Sequence, residues 1–376
     1  MATRRPVTGR SNYTANYTDW IICLPTLRFL DIAAYYRMGN TRRGRHITDI
    51  WEGQMTISRV SRQTGWKLAL AAASLFIAGQ ALAQDKLLLA VGQRGNWDTS
   101  VSEIGQRAGI FKKHNLVLEL LYTQGGGETQ QAVIGGSADI GIGAGIMGTL
   151  SAFSKNAPVR IIGAETTGAG DLFWYVKADS PIKSLKDAAG KTISYSTNGS
   201  STHGVVTAFI KDLGIKATPT GTGGPSATLT QVMSGQIDIG WSAPPFGLDL
   251  LDQNKIRIIA TGNDTAFKGQ TVRLVITNAT ALQGKKAAIE RYMKAYRETI
   301  DMMYKDPAAL KIYADFVGIP EQVAKRTRDQ FFPPASIDPD KVVGLNEIMP
   351  DAVNFKYITA PLTEAQLKEL IQIPPR

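Results

Sequence analysis

The chain of 376 residues has one cysteine, Cys23, and only three histidines. From Gln84 onward there is no cysteine and only His114 and His203. That excludes a disulfide framework, a thiol nucleophile and thiolate metal ligation in that portion. No His pair stands at helical ligand spacing and no Gly-x-Ser-x-Gly elbow occurs, so hydrolase and metal chemistry lack their usual parts. The apolar run Leu68–Ala78 is eleven residues long, too short to cross about 30 Å of hydrocarbon as a helix. No cysteine follows it to carry a lipid.

What is present around that run is an export signal. Arg59, Arg62 and Lys67 form a basic n-region, Leu68–Ala78 the apolar segment, and Ala81-Leu82-Ala83 a small-residue cleavage site. Residues 55–83 are therefore expected to be a signal peptide cleaved near Ala83, releasing an exported, soluble periplasmic protein. Such signals begin at an initiator, so residues 1–54 are expected to be an upstream extension, to which no fold is assigned. Peptide mapping that found Met1 to Gln54 in the cell would overturn this.

Charge follows the same division. Residues 1–83 hold eleven of the 42 lysines and arginines and four of the 32 acidic residues, so the remainder carries +3 against +10 for the whole chain. A nucleic-acid or anionic-membrane partner, which needs a basic face on the folded domain, loses its main support.

The strongest positive feature is an internal repeat. Thr129 to Ala144 reads TQQAVIGGSADIGIGA, and ninety-nine residues later Thr228 to Ala243 reads TLTQVMSGQIDIGWSA, with Thr, Val, Gly, Asp, Ile, Gly and Ala in register. Each copy is a helix-period stretch, a Gly turn and a short apolar strand, the pattern of a βαβ sheet. Two similar lobes facing each other make a cleft, where a small molecule binds preferentially. Asp139 and Asp238 are equivalent by the repeat and are expected to hold turns or caps, not to catalyse.

Alternating elements are expected along residues 86–376. Strands fall at Leu87–Val91, Val117–Tyr122, Asp139–Ile142, Arg160–Gly163, Ile193–Tyr195 and Arg257–Ala260. Helices run from a Ser100-x-x-Glu103 capping box to about Lys113, over 129–134 and 148–155, and over 201–213. Strands Leu172–Val176 and Val272–Ile276 bracket the second series, so the chain crosses between lobes there, at a hinge. Residues 86–173 plus 277–376 form lobe one and 174–276 lobe two. Ile289, Met293, Tyr296, Ile300 and Met303 mark the core face of a long helix. Pro333-Pro334 and Pro374-Pro375 read as loop and tail.

The order GQRAGIFKKHNLVLEL, GGSADIGIG, SLKDAAGKTISYS, NGSSTHGVV, SGQIDIGWSAPP, then a helical C-terminal third, resembles the periplasmic substrate-binding proteins of ABC importers, in the nitrate, sulfonate and taurine group. The likeness extends over residues 86–365. It implies an α/β, two-lobed periplasmic-binding-protein fold of type II, each lobe a mostly parallel sheet flanked by helices with two hinge crossovers. It also implies closure on one small ligand and delivery to an inner-membrane ABC permease and its ATPase. No cofactor, metal or nucleic acid is called for, and a monomer is expected.

Helix N-termini hold anions such as sulfonate or carboxylate. Ser196, Asn198, Gly199, Ser200, Ser201 and Thr202 lie on the loop entering the first helix of lobe two, as caps or as ligand donors; the resemblance favours ligand contact. His203 follows them as either a contact or an outward-facing residue. Truncating Ser201 and Thr202 together is expected to weaken binding and leave unfolding of the empty protein nearly unchanged. In lobe one, ligands bind at the carboxyl ends of parallel strands. Gln93, Arg94, Asn96 and Trp97 follow the first strand, Trp97 as an aromatic wall or a surface anchor, Arg94 as a cation with a planar donor fork or an anchor. Gly126 and Gly127, then Gly143, Ala144 and Gly145, supply further cleft loops. Ser242, Ala243 and Pro244 are their lobe-two counterparts, beside Trp241 and Phe246.

Gly143-Ala-Gly145-Ile-Met-Gly148 is a literal G-x-G-x-x-G with Glu165 about twenty residues on, as a dinucleotide fingerprint asks. Against it stand the export signal, the absence of those glycines from the second copy, and its place on the third strand. The alternative readings are an NAD-dependent oxidoreductase and an enzyme like the fungal thiamine-pyrimidine synthase, whose cysteine-rich segment has no counterpart here. A periplasmic lobe signalling to a membrane sensor shares the same cleft. The reading is a non-catalytic receptor for a small organic or inorganic anion.

Overall fold

In the computed structural model, the described residues are 84–376; the signal segment and the upstream extension lie outside them. The chain opens with β1 (Asp85–Gly92), α1 (Val101–Arg107), α2 (Ile110–Lys113) and β2 (Leu116–Thr123). There follow α3 (Gly126–Ile134), β3 (Ile140–Gly145), α4 (Ile146–Ser154), β4 (Val159–Thr167) and β5 (Phe173–Lys177). Next come β6 (Thr192–Tyr195), α5 (Ser201–Asp212), β7 (Thr218–Gly221), α6 (Pro225–Met233), β8 (Gly240–Ser242), α7 (Leu248–Asp252), β9 (Ile256–Thr261) and β10 (Thr271–Asn278). Six helices finish the chain: α8 (Ala279–Gly284), α9 (Lys286–Lys305), α10 (Ala308–Val317), α11 (Glu321–Phe331), α12 (Leu345–Asn354) and α13 (Glu364–Leu370).

The first sheet has the order β2-β1-β3-β10-β4. Its strands are parallel except β10, which runs antiparallel between β3 and β4. In the second lobe β6 and β7 are parallel, β5 is antiparallel between β8 and β9, and a parallel Ile193–Ile239 bridge joins the two pieces. The order is thus β7-β6-β8-β5-β9, the same as in lobe one. Each crossover strand lands in the other lobe's sheet in the fourth place, which makes both sheets mixed. Because β10 bonds within the first sheet, residues 271–276 belong to it and not to the second lobe's sheet.

The repeat reaches individual hydrogen bonds. Thr123 Oγ1 meets Thr129 Oγ1 at 2.8 Å, and ninety-nine residues on, Thr222 Oγ1 meets Thr228 Oγ1 at 2.6 Å. Asp139 Oδ2 accepts from the Leu88 N–H and Asp238 Oδ2 from the Thr192 N–H, both at 2.9 Å. These aspartates pin the start of the third strand to the first in each lobe.

One core lies between the first sheet and α1, α2 and α9, including Leu87, Leu89, Ile104, Phe111, Ile289, Met293, Tyr296 and Met303. A second runs through both lobes, from Ile146 and Leu150 of α4 to Trp174, Val205 and Phe209. Three local expectations are corrected. Ser100 does not cap α1; its hydroxyl donates to the Asn96 carbonyl at 2.5 Å. The first helix breaks at Gly109, whose φ of +78° only glycine adopts readily. The segment after Pro333-Pro334 carries α12 and α13, the latter started by a Thr363–Gln366 capping box.

Candidate functional site

The two crossovers run side by side. The Gly168 N–H donates to the Gln270 carbonyl at 2.8 Å, the Gly262 N–H to the Leu172 carbonyl at 2.9 Å, and the Ala169 N–H to Asn263 Oδ1 at 3.0 Å. A Cβ on Gly262 would stand 2.5 Å from the Ala169 carbonyl oxygen, so the strands touch only because that residue is glycine. Just inside lobe one, buried Arg273 of β10 pairs with Asp98 at 2.7 Å and Asp171 at 2.8 Å. Beside them Glu165 Oε2 accepts from the Gly143 N–H at 2.6 Å. Burial and the Asp98 carboxylate push the Glu165 pKa well above its ordinary value, and burial raises Asp171 to about 6 despite Arg273. The cluster ties the ends of β3 and β4 to the crossover.

Across the cleft, the start of α3 meets the loop into α5. The Gly127 N–H donates to Thr197 Oγ1 at 3.0 Å, and the Gly224 N–H donates to Gln124 Oε1 at 3.3 Å. Glycines make this approach possible. A Cβ on Gly127 would overlap the Asn198 carbonyl oxygen, one on Gly148 would overlap that of Gly199, and one on Gly145 would lie 2.5 Å from the same oxygen. The lobes are therefore apposed backbone to backbone along the strand ends. Two glycines of the G-x-G-x-x-G string, Gly145 and Gly148, serve this contact, and Glu165 is fully buried.

Between the lobes an open groove of about 740 Å³ remains, lined by Gln124, Gly127, Glu128 and Gln131 from lobe one and Tyr195, Ser196, Thr197, Asn198, Gly221 and Gly223 from lobe two. Of the residues singled out in the sequence, Gly127, Ser196 and Asn198 line this groove, Gly145 packs against the backbone of Gly199 to Ser201, and Gly126 and Gly143 pack on one another within lobe one, where Ala144 is buried in β3. The hydroxyls there are already engaged. Thr202 Oγ1 accepts from the Ser196 N–H at 2.9 Å and contacts Ser196 Oγ at 3.0 Å and Ser200 Oγ at 2.9 Å, while Ser200 Oγ caps the His203 N–H at 3.1 Å. Thr202 is 1% exposed, so it holds the loop's shape, and truncating Ser201 and Thr202 together is now expected to cost stability through Thr202. Ser201 and Asn198 keep exposed surface.

His203 faces inward. Its Nδ1 accepts from the Gly199 N–H at 3.1 Å, so the Tyr357 hydroxyl, 2.9 Å away, also donates to it. The ring proton then sits on Nε2, and burial lowers the pKa. Tyr357 follows α12, so the C-terminal segment clasps lobe two through this ring.

Other residues lie elsewhere. Trp97 is not a cleft wall: it is fully buried, edge-on to Tyr313 at 4.8 Å and Tyr304 at 6.1 Å, with its N–H donating to the Tyr304 hydroxyl at 3.2 Å. Arg94 stacks on Phe316 at 4.3 Å and donates to its carbonyl at 2.8 Å, which anchors it to α10. Gln93, at φ +77°, donates to the Gln124 carbonyl at 2.6 Å, and Asn96 is buried with Oδ1 unpaired. Ser242 Oγ donates to the Phe246 carbonyl at 3.0 Å, and Ala243 and Pro244 are buried. The Trp241 N–H donates to the Gly223 carbonyl at 3.2 Å. Sequence reasoning missed Thr197, Gln124 and Tyr357; of these only Gln124, directly before three glycines, carried a usable signal.

The paired sheets, crossovers and facing strand ends define the two-lobed binding-protein class of fold. SsuA from Xanthomonas axonopodis pv. citri, an alkanesulfonate-binding protein solved with MOPS, is similar at 17% identity, covering 77% of this chain and 98% of that one, with a TM-score of 0.63. The nitrate-binding protein NrtA of Synechocystis PCC 6803 is similar at 12% identity, covering 76% and 86%, with a TM-score of 0.61. A Candida albicans gene product with the generic periplasmic-binding-protein fold is similar at 13% identity, covering 77% and 97%, at 0.62. These likenesses show the fold expected from the sequence. The family model described as NMT1/THI5 like matches residues 103–310, and the chain belongs to that family. No curated protein matches it in sequence.

Proposed function

We propose that this protein is the periplasmic solute-binding receptor of an ABC importer, closing on a small sulfonate, nitrate, taurine or carboxylate-type anion and presenting it to an inner-membrane permease and its ATPase. The observation that carries the reading is the glycine-backed meeting of α3 and the α5 loop. Two helix N-termini on opposite lobes converge on one groove, and helix N-termini favour negative charge. A ligand contacting both lobes stabilises the closed form by its differential affinity, which drives closure. Asn198, Ser201 and Gln124 are the side chains assigned to it. Catalysis is not part of the proposal. Among the described residues no helix is long and apolar enough to cross a membrane, and no cluster of three His, Cys, Asp or Glu is placed to hold a metal.

A thermal-shift screen against taurine, aliphatic sulfonates, nitrate, carboxylates and NAD(H) tests this. A ligand at about one hundred times its Kd adds about 2.7 kcal/mol to the folded state. A rise with one of the small anions supports the receptor; a rise with NAD(H) alone overturns it.

A further inference from the structure

One charged contact joins the lobes outside the groove. Arg326, in the middle of α11, donates from Nη1 to both carboxylate oxygens of Asp252 at the end of α7, at 2.9 and 2.7 Å. Helix α11 belongs to lobe one, whose core takes Ala324 and Phe332, while Leu250 and Leu251 seat α7 on the core of lobe two. Among the described residues this is the one ion pair that spans the two lobes. The contacts from Gly127 to Thr197, Gly224 to Gln124 and Tyr357 to His203 join uncharged groups at neutral pH. Asp252 does nothing for its own helix, since a carboxylate in the last turn faces the negative end. Arg326 is aimed: its Nε donates to Gln330 Oε1, one turn on, at 3.3 Å. Beside the pair the seam is loosely packed. A cavity of about 310 Å³ lies between Leu229 and Leu250 of lobe two and Val317 and Ile319 at the end of α10, so dispersion contacts hold this edge weakly.

We infer that Arg326 and Asp252 form a latch that holds the empty receptor closed along this edge, so that ionic strength regulates opening of the cleft. The inference rests on the hinge-closing receptor reading. An ion pair reaches only about 4 Å, so a hinge rotation that parts α7 from α11 by a few ångströms breaks it. The pair then contributes to the closed form alone, which is the differential interaction that shifts a two-state balance. Both side chains keep exposed surface, and the contribution is accordingly modest: about threefold in the closed-to-open ratio, equivalent to about 0.7 kcal/mol. Salt screens this contact, because the Debye length falls from about 10 Å at 0.1 M to about 3 Å at 1 M. The uncharged contacts between the lobes do not respond in this way. Arg326 is thus a positioning residue, acting on the ligand only through the distance between the lobes.

Single-molecule energy transfer reads the ratio directly. The full chain has one cysteine, so Cys23→Ser allows dyes to be placed at Lys112→Cys in lobe one and Lys186→Cys in lobe two, both exposed positions. Without ligand, the closed-to-open ratio is expected to fall about threefold in Arg326→Gln relative to the unlatched-free parent. It should fall by a similar factor in the parent when salt rises from about 0.1 M to about 1 M, and not at all in Arg326→Gln. Asp252→Arg, which sets two cations against each other, should open the protein further, and adding Arg326→Glu should restore closure. A ratio that is the same in the parent and in Arg326→Gln overturns the latch, and so does a double exchange as open as Asp252→Arg alone. Gly127→Ala is the steric control: a protein opened by it but not by Arg326→Gln has a working hinge and no latch. The receptor reading falls only if the anion screen fails, so the two failures are told apart.

Discussion

Gly127 of lobe one donates its backbone N–H to the Thr197 hydroxyl of lobe two across 3.0 Å. This contact, with Gly224 to Gln124 beside it, fixes how closely the lobes meet, and no side chain can be inserted between them.

Gly127→Ala therefore holds the lobes apart, since the added methyl overlaps the Asn198 carbonyl oxygen. Solution scattering of the variant is expected to give a larger radius of gyration than the wild type, and any anion found by the screen should bind at least about tenfold more weakly, a loss of about 1.4 kcal/mol. Scattering identical to the wild type would show that closure does not depend on this glycine.

Thr202 and Ser201 adjoin in sequence and differ in role. Thr202→Ala removes an acceptor for the Ser196 N–H and two hydroxyl contacts in a buried loop. Urea denaturation should show a loss of about 1–2 kcal/mol. Ser201→Ala is expected to stay within about 0.5 kcal/mol in stability and to act on ligand affinity alone.

The His203 clasp gives a pH dependence with a definite sign. The folded protein binds the proton less readily than the unfolded chain, whose value is 6.5. Stability from this group is present above pH 6.5 and is lost as pH falls through the lower folded value. Protonating Nδ1 also removes the acceptor shared by Gly199 and Tyr357. Melting curves of the wild type should drop between pH 7.5 and pH 5 by more than those of His203→Gln; parallel curves would remove His203 from the acid response.

Glu165 acts in the opposite direction. Its folded pKa stands well above 4.5 through burial and Asp98, so the folded state retains a proton that the unfolded chain releases. Its contribution is complete below pH 4.5 and is lost as pH rises through the folded value. Glu165→Gln cannot ionise and keeps an acceptor for the Gly143 N–H. The wild type should lose stability relative to Glu165→Gln as pH rises from 4.5, measured by denaturant unfolding at several pH values. A constant difference would mean that Glu165 titrates alike in both states.

The sequence by itself determined the repeat and the two-lobed class of fold, while β10, whose residues 271–276 it put in lobe two, pairs in the first sheet. The repeat and the lobes follow from local or periodic properties. Thr129 and Thr228 mark equivalent helices, Asp139 and Asp238 equivalent strand starts, and the spacing of Ile289, Met293 and Tyr296 places one helix face in the core. It also marked Gly126, Gly127, Ser196 and Asn198 to Thr202 as residues of the cleft loops, because helix entries after strands carry turn residues. Tertiary structure alone decided the partners. Trp97 looks like a pocket wall until Tyr304 and Tyr313, some two hundred residues on, enclose it. Arg94 looks like an anion ligand until Phe316 takes it. Thr197 and Tyr357 have no local signature, since their bonds run to Gly127 and His203 on segments distant in sequence. The antiparallel strand in each sheet belongs to the same class: periodicity identifies a strand, but the order of strands is set by which lobe the chain returns to.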